Sequence, residues 1–344
     1  MTSAHIKILA RECGFDLIGI ASAAPVPEAR HYAEWVREGM AGEMKYLADH
    51  RAGIRGDPRK LFPPVRSVIC VGKLYNGPEP HSTELSRPDL GWIARYAWGE
   101  DYHSVVRRDL ERLAGRAGLE SGSYRICVDT APLLEAAYAR HAGLGWIGKN
   151  TCLINERMGS WFFLGELLTS HELEPDSPPP DRCGTCRRCI DACPTSAIVP
   201  TGGADGSRYT VDARRCISYF TIELRGAIPE EFRPEMGNHV FGCDICQDVC
   251  PWNGRAPVDR DPAFAPRQFA PPLERLAALS EAEFRDLFRG TPVARAKYAG
   301  FLRNVAVAMG NSGLARFREP LSRLSQSGDA LLREHAVWAL KRLG

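Results

Sequence analysis

Eight of the twelve cysteines in this 344-residue chain stand in two compact runs, Cys183, Cys186, Cys189 and Cys193 ahead of Pro194, then Cys216, Cys243, Cys246 and Cys250 ahead of Pro251. Any fold that uses these thiols together must bring the two runs against each other. The first run reads C-x2-C-x2-C-x3-C-P, the spacing in which three neighbouring thiolates hold one [4Fe–4S] cubane and the fourth reaches across to a second. By that logic Cys183, Cys186, Cys189 and Cys250 form one ligand set. The second run departs from the pattern, because Val240 stands where its first cysteine is expected and Cys216 is the nearby thiol free to replace it. Cys193, Cys216, Cys243 and Cys246 then form the other set, provided that the chain from Cys216 to Cys243 loops back.

A pair of structural zinc sites would also use C-x2-C pairs. A third cysteine two residues further on, followed by C-P, has a reason in a cubane and none in a zinc site. A disulfide framework is disfavoured too, since the opening MTSAHIKILARECGF reads as a short amphipathic helix and not as an export signal. Cys13, Cys70, Cys127 and Cys152 lie in apolar stretches and read as buried small hydrophobes. With 44% hydrophobic residues the chain can bury sizeable cores, and its length suggests two or three domains. No run reaches the roughly 18 to 20 apolar residues of a membrane span, so a soluble, cytoplasmic, monomeric protein is expected. The net charge of +2 excludes general adhesion to nucleic acid but allows a local basic patch.

The expected organisation is a first domain over 1–175, a cysteine-rich module over 176–255 and a linker with helices over 256–344. In the first domain FDLIGIAS, SVICVGKLY, YRICVD, TCLIN and SWFFLGELL read as strands, while 27–38 and 102–118 carry helical spacing. A helix is expected directly after YRICVD, with Thr130 as its cap and Pro132 in its first turn. Pro178, Pro179 and Pro180 mark the break into the module, and a second Pro-rich stretch from Gly254 to Pro272 closes it. In the tail, Leu302 to Val307 lines up with Leu332 to Val337, a weak repeat that suggests short HEAT-like paired helices leaning on the main body. From Gly290 onward nine Lys or Arg face three acids, which is either a solvated face or a contact for a phosphate backbone.

Two cubanes in a soluble chain usually move single electrons, and a bare carrier needs only about 75 residues of ferredoxin-like module. The long segment ahead of the cysteines therefore argues for a catalytic domain that receives electrons. No G-x-G-x-x-G follows a strand, so a nicotinamide or flavin dinucleotide fingerprint is absent. GLGWIGKN, from Gly143 to Asn150, reads either as a tight turn or as backbone lying close to a large planar cofactor, with Lys149 and Asn150 as polar contacts.

The ordered series VDTAPLLE, GLGWIGKN, GSWFFLGEL, C-x2-C-x2-C-x3-C-P, RRCISYFTIE and GCDICQDVCPWN, followed by the tail repeat, closely resembles the epoxyqueuosine reductase family along nearly the whole chain. The resemblance implies a cobalamin-dependent, tRNA-modifying oxidoreductase that reduces the epoxide of epoxyqueuosine in the anticodon loop, the last step of queuosine biosynthesis. It implies an α+β fold: a nitroreductase-like cobalamin-binding domain, a bacterial ferredoxin-type module with two [4Fe–4S] clusters, and HEAT-like helices that contact tRNA. It also implies the same two cysteine sets that the spacing suggests. An unidentified low-potential electron donor would feed the clusters. The relatives of the family include reductive dehalogenases, so a dehalogenase-like reductase of small molecules is the alternative enzyme, and an iron-sulfur electron-transfer protein is the alternative outside catalysis.

By the same resemblance Asp129, in the VDTAP motif, is the proton donor to the departing oxygen while reduced cobalt supplies electrons. A helix amino terminus would favour carboxylate there, so burial against the apolar face of the corrin is expected to raise the pKa of Asp129. The D-x-H-x-x-G signature of histidine-ligated cobalamin begins at Asp101 and His103 but has Val106 in place of glycine, which argues against His103 as a cobalt ligand. Expected cofactor contacts are Arg55, Asp129, Lys149, Asn150, Ser160, Tyr219, Cys243 and Asp244. Tyr102 and Trp98 are either core residues or exposed rings for stacking on a splayed base.

Overall fold

The computed structural model describes residues 2–201, 208–259 and 261–344. Residues 202–207 of the cysteine-rich module and residue 260 of the second Pro-rich stretch lie outside the described residues. The first part of the chain runs α1 (Ser3–Glu12), β1 (Leu17–Ser22), α2 (Glu28–Arg37), α3 (Lys45–Ala48), α4 (Pro58–Leu61), β2 (Ser67–Leu74), β3 (Trp92–Ile93), α5 (Tyr102–Arg116), β4 (Tyr124–Cys127), α6 (Glu135–His141), β5 (Trp146–Ile147), β6 (Leu153–Ile154) and β7 (Phe162–Thr169).

The two longest apolar runs, β2 and β7, form the middle of an antiparallel sheet of order β1-β2-β7-β4. Every residue of β2 is buried, because both faces of the sheet are covered. Side chains alternate along a strand, so Ile69 and Val71 join a core with α1 and α5, whereas Val68, Cys70 and Leu74 join a second core with α6. The same parity sends Phe163 and Leu167 of β7 to the first core and Phe162 and Leu168 to the second. TCLIN contributes only the two residues of β6, paired with β5.

The helix after β4 begins later than the sequence suggests. Leu134 occupies the cap position of α6 and makes no side-chain cap bond. Pro132 disfavours helical geometry at the residue before it, and the Thr130 hydroxyl turns to the Val128 carbonyl at 3.4 Å. Residues 128–134 form tight bends instead, with Asp129 in the left-handed region at φ +55°.

The cysteine-rich segment adds α7 (Arg188–Ala192), β8 (Ile198–Pro200), β9 (Tyr209–Val211), α8 (Ile217–Ile222), β10 (His239–Phe241) and α9 (Ile245–Asp248). β10 pairs in parallel with β3, which stitches this segment to the first domain. The tail consists of α10 (Leu273–Ala277), α11 (Glu281–Leu287), α12 (Lys297–Asn311), α13 (Arg318–Ser325) and α14 (Ala330–Arg342). The repeated motifs lie on α12 and α14, which pack on each other, and α12 is buried from Gly300 to Gly310 against β10, α8 and α10. The tail therefore shares its core with the rest, including Trp92 and Trp98. Trp98 is 2% exposed and donates to the Ile93 carbonyl, so it is a core residue and not a stacking platform.

The basic surplus of the tail is smaller at the surface than in the sequence. Arg303 is fully buried and donates to the carbonyls of Phe220, Leu224 and Gly226. Arg295, Arg316 and Arg323 pair with Glu223, Asp89 and Glu319. Among the described residues no helix is long and apolar enough to cross a membrane. Replacing Arg303 by Ala would strip three inward-facing carbonyls of their donor, and a loss of about 3 kcal/mol in denaturant unfolding of the apo chain is the expected result.

Candidate active site

The two cysteine runs meet. Cys183, Cys186, Cys189 and Cys250 ring one small cavity of about 40 Å³, closed by Pro251 and Trp252. Burial and the crowding of Cys246, Cys183, Cys250 and Cys186 push the Cys189 thiol up to about 12. The remaining four thiols also gather, since Cys246 and Cys193 both act on Cys216, and Cys246 and Cys216 on Cys243. The Ala197 amide donates to Cys193 Sγ at 3.3 Å. Among the described residues no group of three or more His, Cys, Asp or Glu side chains closes on the position of a single metal ion. A tetrahedral zinc needs its sulfurs about 2.3 Å from one centre, whereas a cubane spreads one thiolate to each iron corner. Cys152 is not a plain core residue: it is half-buried and lies beside Cys246.

The module is fastened to the sheet domain by buried polar contacts. Asp244, 2% exposed, accepts from the Arg95 backbone N–H at 2.7 Å and from the Trp92 indole at 3.2 Å. Asn253 receives the Ser160 N–H at 2.6 Å and donates to Ser160 Oγ at 2.9 Å, and Gln247 adds two donations to Ser160. Lys149 donates to the carbonyls of Gly184 and Cys186, and Asn150 to that of Cys246. Lys149, Asn150, Ser160 and Asp244, expected to touch a cofactor, thus have their polar atoms engaged in holding the cysteine loops in place. Tyr219 lies beside Cys216, and its hydroxyl accepts the Glu43 N–H at 2.9 Å.

Asp129 projects from the bend after β4 into a chain of partners. His103 Nε2 lies 3.0 Å and the Tyr102 hydroxyl 3.0 Å from Asp129 Oδ2, and His103 Nδ1 lies 2.7 Å from Asp101. Burial pushes the Asp129 carboxyl up, but His103, Tyr102 and Arg295 together outweigh it, and the net shift is downward. Asp129 is not at a helix terminus, and a histidine flanked by two carboxylates sits against it. Burial disfavours the His103 cation, yet Asp101 and Asp129 hold it protonated up to about 9. With both ring nitrogens engaged, His103 is not poised to ligate a metal. The Asp129 side chain is 48% accessible although Tyr102, His103 and Glu135 crowd it, so it borders an open recess.

Glu135, which accepts the Asp129 N–H, also lines a cavity along α2, an amphipathic helix that buries none of its residues. Three adjoining cavities of about 650, 470 and 330 Å³ follow it, bounded opposite by β8, β9 and the 146–151 loop. The middle one is mostly apolar and is lined by Tyr32, Trp35, Arg55, Leu133, Glu135 and Ile147, among others. Arg55 lies over the Tyr32 ring at 5.9 Å, and its buried Nε has no partner. A broad apolar trough with an orphaned cationic N–H suits a large, flat cofactor bearing amide and phosphate groups.

Sequence reasoning missed Glu135, which lines this trough, and Glu166, fully buried on β7. A carboxylate inside the otherwise apolar run FFLGELLT was the available signal.

A 4Fe-4S double cluster binding domain model matches residues 182–253, and an epoxyqueuosine reductase model matches residues 55–130. The chain is 43% identical to epoxyqueuosine reductase of Xanthomonas campestris, over 99% of its own length and 96% of that relative. It is similar, with a TM-score of 0.87 and 28% identity over 99% of its length and 90% of the other chain, to a crystal structure of epoxyqueuosine reductase with an epoxyqueuosine-modified tRNA stem loop. A Bacillus subtilis epoxyqueuosine reductase, with a TM-score of 0.85 and 28% identity over 99% and 90% of the two chains, has its catalytic aspartate loop swung out of the active site.

Anaerobic reconstitution is expected to yield about eight irons per chain, the content of two cubanes, and to fall by roughly half in Cys183→Ser/Cys186→Ser. Bound zinc with negligible iron in the metal analysis would contradict the cubane assignment.

Proposed function

The chain belongs to the epoxyqueuosine reductase family, and from that premise we propose how its residues perform the reaction. It converts epoxyqueuosine in tRNA to queuosine, a reduction that takes up two electrons and two protons and releases the epoxide oxygen as water. The trough along α2 takes cobalamin, a reading supported by its size, its apolar lining and the unpartnered Nε of Arg55. Cys183, Cys186, Cys189 and Cys250 hold one [4Fe–4S] cluster, and Cys193, Cys216, Cys243 and Cys246 the other, as their grouping supports. When bound, cobalamin supplies the electron pair for the epoxide and the two clusters supply the single electrons that restore it.

The chain's own residues handle the proton. The single observation that carries this reading is the contact of Asp129 with His103 at the mouth of the recess. At neutral pH the pair holds one proton, on His103, while Asp129 is ionised. As negative charge builds on the departing oxygen, the proton passes from His103 Nε2 through the Asp129 carboxyl to that oxygen. Tyr102 fixes the carboxyl by its hydroxyl and stacks on Phe163, with ring centroids 4.4 Å apart. Asp101 restrains the far side of the imidazole.

The tRNA substrate lies against the tail, where Lys297, Lys341 and Arg342 are exposed basic side chains, and a splayed anticodon base enters the recess. The segment 128–134 of this chain is the counterpart of the movable loop in the Bacillus relative. The protein acts in the cytoplasm with its tRNA, as a monomer.

Analysis of tRNA nucleosides in cells lacking the protein tests the reaction: the epoxide should accumulate and the wild-type gene should restore queuosine. Asp129→Ala should lower kcat by about 10² or more with cluster and corrin spectra intact; unchanged turnover would remove Asp129 from proton delivery. Because His103 carries its proton up to about 9, wild-type activity should fall as pH rises through that value, and His103→Gln should lose that alkaline limb in a pH–rate profile.

A further inference from the structure

Glu166 lies in the centre of the sheet with 0% exposure, and strand parity turns it, with Phe162 and Leu168, toward α6. Its neighbours across the strands are Cys70 on β2 and Cys127 on β4, both buried. Neither of its carboxyl oxygens meets an N–H or hydroxyl donor. What it does meet is the carboxyl of Glu135, the first residue of α6, close enough for the two side chains to bond to each other. Among the described residues no Lys, Arg or His pairs with Glu166.

Two carboxyls in such a place cannot both be ionised. A proton between them satisfies the geometry: Glu166, neutral, donates to Glu135, whose own carboxyl is pushed up to about 8 by burial and by Asp129. Glu135 has a second contact, because its Oε1 accepts the Asp129 backbone N–H at 2.5 Å. Asp129 sits at φ +55°, a conformation that an L residue holds only when its surroundings impose it. His103 and Tyr102 on α5 hold its side chain, and Glu135 alone among these holds its backbone. We infer that Glu135 and Glu166 share one proton and form a latch that keeps the Asp129 segment in its catalytic position.

The groups facing the latch are Cys70, Cys127, Asp129, His103 and Tyr102, and Arg55 lines the same trough as Glu135. Glu135 borders the trough, and occupation of the trough closes its remaining access to water. Glu135 and Glu166 are positioning residues: they reach the reacting atoms only through Asp129. The catalytic meaning of the latch rests on Asp129 being the proton donor.

Infrared difference spectra of the apo protein at neutral pH should show a protonated carboxyl that is lost in Glu166→Gln. Hydrogen exchange read by mass spectrometry should be faster over 128–134 in Glu135→Ala by about tenfold or more. Glu166→Leu should loosen the same segment and Glu166→Gln, which keeps a donor toward Glu135, should restore its protection. In the assembled enzyme Glu135→Ala should reduce kcat about tenfold with KM for a tRNA stem loop unchanged. A wild-type spectrum without the protonated carboxyl, or wild-type exchange in Glu135→Ala, overturns the latch. Full activity of Asp129→Ala would overturn the donor reading alone, since the infrared and exchange results do not depend on turnover.

Discussion

The fastening of residues 244–253 to the sheet domain is the contact on which the rest of the structure depends. Asp244 and Asn253 are almost wholly buried, and each finds its partners in the first domain, at Arg95, Trp92 and Ser160. Buried polar groups are costly unless they are bonded, so these contacts tolerate little displacement. Cys246 and Cys250 lie within this fastened segment. Arg95 extends the fastening by donating to the carbonyls of Gly77, Glu79 and Pro80 while it lies over Trp98 and Trp161. Electron supply and the catalytic recess are thereby held in one frame.

Within that frame the acid–base chemistry is separated from the thiols. Asp101, His103 and Asp129 form a line in which one positive charge lies between two negative ones, an arrangement that retains a proton without requiring an unusually basic carboxylate. The buried carboxyl pair at Glu135 and Glu166 lies behind it. The sheet is the scaffold for both: α5 covers one face and brings His103, while α6 covers the other and brings Glu135.

Much of the fold was legible because it rests on local pattern. β2 and β7 are long apolar runs, α2 and α5 have helical spacing, and the cysteine runs carry their own grouping. Trp98 was ambiguous, since an aromatic residue beside glycine reads equally as core or as platform until it is seen buried against Trp92 and Phe269. Lys149, Asn150, Ser160 and Asp244 were legible as positions that matter, but their protein partners were not, because those lie far away in the chain. The start of α6 was misplaced because Thr130 and Pro132 satisfy the local rules for a helix start while the Asp129 carboxylate is drawn to His103.

The amino-acid order alone marked the eight thiols, their expected division into two groups and the main strands of the sheet, because each of these is a matter of spacing or of alternation along a short stretch; the acid role of Asp129 came only with the family resemblance. The lowered pKa of Asp129, the meeting of Glu135 with the buried Glu166, the engagement of Arg303 and the trough along α2 were decided only in three dimensions. A pKa depends on which charges come within a few ångströms and on how much water is excluded, and neither is encoded in the distance between residues along the chain.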